Sequence, residues 1–72
     1  MNREEFLDEL QNILQREDIL TPDMKFADIP EWDSLTLLSV SLFINSKFNI
    51  VLNFNQVKEL VVVEDLLKRV GL

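Results

Sequence analysis

A chain of 72 residues with 47% apolar and 28% charged residues reads as a small globular domain rather than a disordered segment. Thirteen acids against seven bases give a net charge of −6, and the bases are scattered (Arg3, Arg16, Lys25, Lys47, Lys58, Lys68, Arg69), so no basic face invites nucleic acid or an anionic membrane. The chain has no cysteine and no histidine, which excludes disulfides, thiolate nucleophiles, zinc sites and the usual general base. One domain over residues 1–72 is expected, with a core of modest stability. The opening MNREEF lacks the charge-then-apolar pattern of a secretory signal. The most apolar stretch, residues 35–44, is too short to span a bilayer and is broken by Thr36, Ser39 and Ser41. A cytoplasmic monomer is the expectation.

Residues 3–16 place Phe6, Leu7, Leu10, Ile13 and Leu14 along one stripe, which predicts an amphipathic helix. Glu4, Glu5, Asp8 and Glu9 fill its first turns and Arg16 lies near its end, as the helix dipole favours. Residues 17–33 hold both prolines and no sustained period, a long connection for so small a domain. Ile19, Leu20, Met24, Phe26, Ile29 and Trp32 suggest that this loop is pinned onto the core.

A second helix is predicted over 34–47, with Asp33 or Ser34 accepting a hydrogen bond from a free N–H of its first turn. Leu35, Leu38 and Leu42 make one stripe, and Leu37, Val40, Phe43 and Ile44 spread apolar character around the rest. Such a helix is either central to a bundle or keeps one face for a partner or ligand. A short third helix follows, with Asn53 and Gln56 at capping-box spacing and Val57 and Leu60 as its apolar face. The last helix sets Val63, Leu66, Leu67 and Val70 on one face, with Lys68 and Arg69 in its last turn and Gly71 as the stop. Val61, Val62 and Val63 are strand-like, but no partner strand is evident. The fold class is all-α, four helices with a long first loop.

Chemistry is scarce. The single glycine, Gly71, forms no phosphate-cradling loop. Carboxylate pairs such as Glu4 and Asp8 are ordinary charges on a solvated helical face. No self-sufficient catalyst can be assembled, so the chain is not expected to be an enzyme. A reactive group can still be attached, and a hydroxyl at a helix N-terminus is the best place for a phosphate ester. Ser34 occupies that place after a long, accessible loop; Ser39, Ser41 and Ser46 lie inside the helix, and Thr21 precedes a proline.

The arrangement resembles the acyl carrier protein family, including stand-alone acyl, aminoacyl and peptidyl carriers. The likeness lies in Asp33-Ser34-Leu35 preceded by Trp32, in Phe26 of the loop, in FNIVLN after the second helix and in LVVVEDLLKRV at the end. The tripeptide alone is a weak signal, but here it stands in register with nearly all of the chain. The resemblance implies an acyl-carrier-like bundle that bears 4′-phosphopantetheine on Ser34, as a phosphodiester. A separate phosphopantetheinyl transferase using coenzyme A and magnesium would attach it. The arm's thiol would carry an acyl or aminoacyl group as a thioester for biosynthesis, which suits a chain without cysteine of its own. Asp33 would help position the serine during transfer. Trp32, Leu35, Thr36, Ser39 and Leu42 would contact the transferase and the loading and transfer enzymes.

One departure sets this chain apart. Fatty-acid carriers present acids along the second helix, whereas the matching positions here are Thr36, Ser39, Asn45 and Ser46, and no acid occurs between Asp33 and Glu59. Steering toward basic partners is weakened, and recognition shifts toward apolar and hydrogen-bonded contacts. A dedicated carrier with few cognate enzymes is expected. Phe26, Leu38, Leu42, Val57 and Leu60 either border an acyl pocket or are simply filled core, with filled core the better reading of such residues. The competing functional reading is an unmodified helical interaction module in which Ser34 only caps the helix.

Overall fold

Asn2 starts the first helix because its short side chain satisfies an N–H that the helix itself leaves unpaired. In a computed structural model describing residues 1–72, its side-chain oxygen accepts the Glu5 N–H (2.8 Å), and the Glu5 carboxylate accepts the Asn2 N–H (3.1 Å). The helix, α1 (Arg3–Leu14), buries Phe6, Leu10 and Leu14. It stops before Arg16 because Gln15 turns left-handed (φ 54°), its N–H returning to Asn12 and Gln11. Arg16 therefore does not serve the helix dipole as expected. Its guanidinium leaves the helix and pairs with Glu31 at 2.9 Å.

Helix α2 (Ser34–Phe48) buries only Val40 and Ile44, and Leu37, Phe43 and Phe48 pack partly buried against the same core. Phe6 of α1 meets Phe43 at 5.8 Å and Phe48 at 5.7 Å between ring centres. At the other end Ile13 and Leu14 share a hollow with Leu35, Thr36 and Ser39, so α1 and α2 run antiparallel. Helix α3 (Phe54–Lys58) is a short piece held by the predicted Asn53–Gln56 capping box, with bonds of 2.8 and 2.9 Å. Helix α4 (Val63–Arg69) buries Val63, Leu66 and Leu67, and Val70 just after it is buried too. Gly71 adopts φ +84°, which an L side chain rarely tolerates, and ends the chain's last turn.

The long loop is pinned, in part by an unexpected partner. The Phe26 N–H donates to the Val61 carbonyl (3.0 Å), Val63 to Met24 (2.9 Å) and Glu64 to Pro22 (2.8 Å). A single antiparallel bridge joins Lys25 to Val62. The valine run thus does find an extended neighbour, the loop itself, although no strand develops. Leu20, Phe26 and Ile29 are buried as expected, and Met24 and Trp32 pack against the core. Ile19 is the exception, 76% exposed, because the polar turn that follows α1 is not drawn inward.

Fourteen buried side chains form one cluster contributed by all four helices and the loop, and none of them is polar. The radius of gyration is 10.9 Å, matching the roughly 11 Å of a folded chain this long. Across the start of α1, Arg3 grips Glu64 through two hydrogen bonds (2.8 and 2.6 Å) and the Leu72 carbonyl through a third (2.6 Å). The four-helix, all-α expectation is met. No helix is long and apolar enough to cross a membrane.

Candidate functional site at the start of the second helix

The segment leading into α2 is clamped from two sides. Trp32 stacks on Phe26 with ring centres 4.1 Å apart and planes 21° apart. The neighbouring residue, Glu31, is held by Arg16, whose side chain is 13% exposed. Backbone bonds from Trp32 N–H to Ile29 and from Asp33 N–H to Glu31 tighten the turn (3.1 and 3.0 Å). Rings and ion pair together leave the chain one way to enter the helix.

Asp33 is the N-cap. Its carboxylate accepts the Thr36 N–H at 2.9 Å, and its carbonyl accepts the Leu37 N–H at 2.8 Å. The Thr36 N–H first, then the Thr36 hydroxyl and the Leu35 N–H, hold this carboxyl below its ordinary value. Of the two candidates for the cap, the structure selects Asp33, because only the residue before the first helical turn has a carboxylate reaching back over it. Ser34 is the first helical residue, exposed, and its hydroxyl enters no hydrogen bond within the chain. The capping hydrogen bond that the sequence left open between Asp33 and Ser34 is thus made by Asp33.

Two open grooves adjoin this corner. One, of about 360 Å³, starts at Ser34 and runs between α2 and α3 along Leu37, Leu38, Ser41, Leu52, Phe54 and Val57. The other, of about 510 Å³, lies between the loop and α3, with Trp32, Phe26, Ile29, Leu60 and Lys58 on its walls. They meet at Leu37, Phe54 and Val57.

The residues proposed from sequence to border an acyl pocket are therefore divided. Phe26, Val57 and Leu60 line the loop groove, and Leu38 and Val57 line the groove at Ser34. Phe26 and Val57 also belong to the core. Leu42 lines neither groove and is 64% exposed, on one solvent-facing stripe with Leu35 and Leu38. Of the proposed partner contacts, Leu35, Ser39 and Leu42 are exposed, while Trp32 and Thr36 are half-buried. The exposed α2 surface of Leu35, Leu38, Ser39, Leu42, Asn45 and Ser46 bears no charge.

Three features escaped the sequence reading. Phe54 lines both grooves, half in solvent, with the Lys58 ammonium 4.6 Å above its ring. The local signal was there, since Phe54 lies three residues before Val57 on the same short helix. Leu37 also faces both grooves. The Arg16–Glu31 pair left no signal, because the two residues lie on opposite sides of an irregular loop.

Fold and site thus define an all-α four-helix protein with an exposed serine at a helix start beside an apolar groove. No protein-family model matches the chain, and no curated protein or solved structure matches it. No cluster of carboxylates is placed to hold a metal ion.

Proposed function

We propose that the protein is a carrier that holds an acyl or aminoacyl group as a thioester on 4′-phosphopantetheine attached to Ser34. The observation that carries this reading is the free Ser34 hydroxyl. It sits exposed at the first position of a fifteen-residue helix whose capping duty is already met by Asp33. A serine needed as a cap would lose that bond on modification, and this one would not.

The surroundings fit the group. The groove that starts at Ser34 is apolar for most of its length, which suits an arm and cargo lying against it. The α2 surface carries no acid to repel the phosphodiester, and the Asp33 carboxylate is directed at its own helix N–H groups. When bound, the arm supplies a thiol, the nucleophile that this cysteine-free chain lacks.

The chain's own residues then have plain tasks. Ser34 presents its hydroxyl; in the transfer its oxygen would become bonded to the pantetheine-bearing phosphate of coenzyme A, the hydroxyl proton would be given up, and the phosphoanhydride bond would break to release adenosine 3′,5′-bisphosphate. Asp33, through its cap, fixes where that hydroxyl points, and the Phe26–Trp32 stack and the Arg16–Glu31 pair hold the approach to it. Leu35, Leu38 and Leu42 offer an uncharged apolar surface to a transferase and to a few dedicated loading and transfer enzymes. That exposed stripe also suits the competing reading, an unmodified interaction module.

Intact-mass measurement separates the two. After incubation with coenzyme A, magnesium and a promiscuous phosphopantetheinyl transferase, the wild type should gain one phosphopantetheine and Ser34→Ala none. An unchanged wild-type mass, with the host's own transferases also tried, sinks the carrier reading and favours the module.

A further inference from the structure

The outer side of α2 differs in charge from the rest of the surface. Leu35, Leu38 and Leu42 are each more than half exposed and form a single ridge. A hollow runs along each flank of it. In one, Leu35, Thr36 and Ser39 face Ile13 and Gln15; in the other, Ser34, Leu38 and Ser41 face Leu52 and Phe54. No charged residue lines either hollow, whereas the two hollows elsewhere on the protein hold Lys58 in one and Glu4 and Asp8 in the other. At about 100° per residue, the helix carries Asp33 and Lys47 round to the side away from the ridge.

We infer that the unmodified protein forms a weak antiparallel homodimer through α2, with the Leu35–Leu38–Leu42 ridge at its centre. A charged partner finds nothing on this face to pair with. A second copy does fit. Chains of net charge −6 repel one another, and α2 against α2 brings two surfaces together with no charge between them. The leucine spacing is also self-complementary. With the helices antiparallel about an axis beside Leu38, that residue meets its own counterpart and Leu35 meets Leu42 of the second copy, the reciprocity a symmetric dimer requires. The flanking hollows receive the opposing side chains, as ridges fit grooves. A helix of 15 residues reaches about 22 Å along a molecule 27 Å in its longest dimension. One helix width of contact falls short of the roughly 800 Å² per partner of a standard interface. The dimer is therefore transient, with roughly 10 μM protein monomeric and roughly 1 mM mostly paired. Only its consequence, that loading enzymes must displace the second copy, rests on the carrier reading.

Sedimentation equilibrium and backbone amide shifts of the unmodified chain over that concentration range test the pairing. The mean mass should climb from 8.5 kDa toward twice that value, with shifts centred on α2. Added salt should strengthen association, because it screens the repulsion between copies. Leu35→Lys and Leu42→Glu should each weaken it at least about tenfold by burying an unpaired charge. The double variant should recover it, since each lysine then faces a glutamate of the other copy. Ile19→Glu, the same charge change as Leu42→Glu at an exposed apolar residue away from α2, should leave it within about twofold of wild type. All three positions are exposed, and melting curves in dilute solution show that each variant is folded. A mean mass independent of concentration, association that survives either single α2 variant, a double variant no tighter than the singles, weakening by salt, or shifts centred away from α2 each overturn the inference.

Discussion

Helices α1 and α2 lie side by side and handle their apolar residues in opposite ways. α1 is mostly polar, yet it buries Phe6, Leu10 and Leu14, leaves only Leu7 and Ile13 half-buried and exposes none of its large apolar side chains, with Phe6 and Leu10 fully inaccessible. α2 is far more apolar, yet only Val40 and Ile44 are buried, and Leu35, Leu38 and Leu42 stand 77%, 59% and 64% exposed. Apolar content therefore does not measure a helix's share of the core. A small domain has one interior, α2 turns a single side to it, and what remains on the outside is surface.

Substitution can test that contrast from both sides. The largest effect is expected for Phe6→Ala, which removes a fully buried ring touching two others. A loss of about 3–5 kcal/mol should leave little folded protein in a urea titration. Asn53→Ala comes next, since it takes away both the acceptor for the Gln56 N–H and the capping box of a very short helix. About 1 kcal/mol is expected by the same measurement, with the amides of residues 53–58 exchanging faster.

Acid should loosen the molecule in a defined direction. Asp33, Glu64 and Asp65 all have carboxyls held below their ordinary values, by the Thr36 N–H, the Arg3 side chain and the Val62 N–H respectively. For groups depressed in the folded state, the contribution is complete above the unfolded values and disappears as pH falls through the folded ones. Stability should be flat from neutral pH down to the ordinary carboxyl values of 4.5 and 3.8, then decline below them. Since Asp33 is exposed and Glu64 and Asp65 are only half-buried, all three are screened by solvent, and the decline should be shallow and should weaken in high salt. A midpoint that rises on acidification would contradict these assignments.

Leu42→Ser should do least. A solvent-facing leucine outside both grooves leaves stability within about 0.5 kcal/mol, in contrast to Phe6→Ala one helix away. A large loss at Leu42 would mean that the α2 face is covered rather than free.

Much of this was legible in the chain. The stripes of α1 and α4, the Asn53–Gln56 box, the stop at Gly71 and the pinning of the loop by Leu20, Phe26 and Ile29 all follow local periodicity or a single residue's chemistry. The candidate site was half legible. Ser34 stood out by position, but Asp33 and Ser34 compete equally for the cap until backbone geometry places one before the first turn and the other within it. The pocket residues were guessed by type and were split by the structure, because exposure on α2 depends on where α1 and α3 lie.

By itself the sequence determined that the chain makes four helices, where three of them start, and which serine opens the second, since those depend on neighbours within a turn or two. Only the tertiary structure decided which face of α2 meets water, that the valine run would pair with Lys25 rather than a strand, that Arg16 would hold Glu31, and that Phe54 and Lys58 would close a groove with the loop. These are meetings of residues far apart in the chain. No local pattern encodes them, because burial and pairing are settled by what the whole fold brings within a few ångströms.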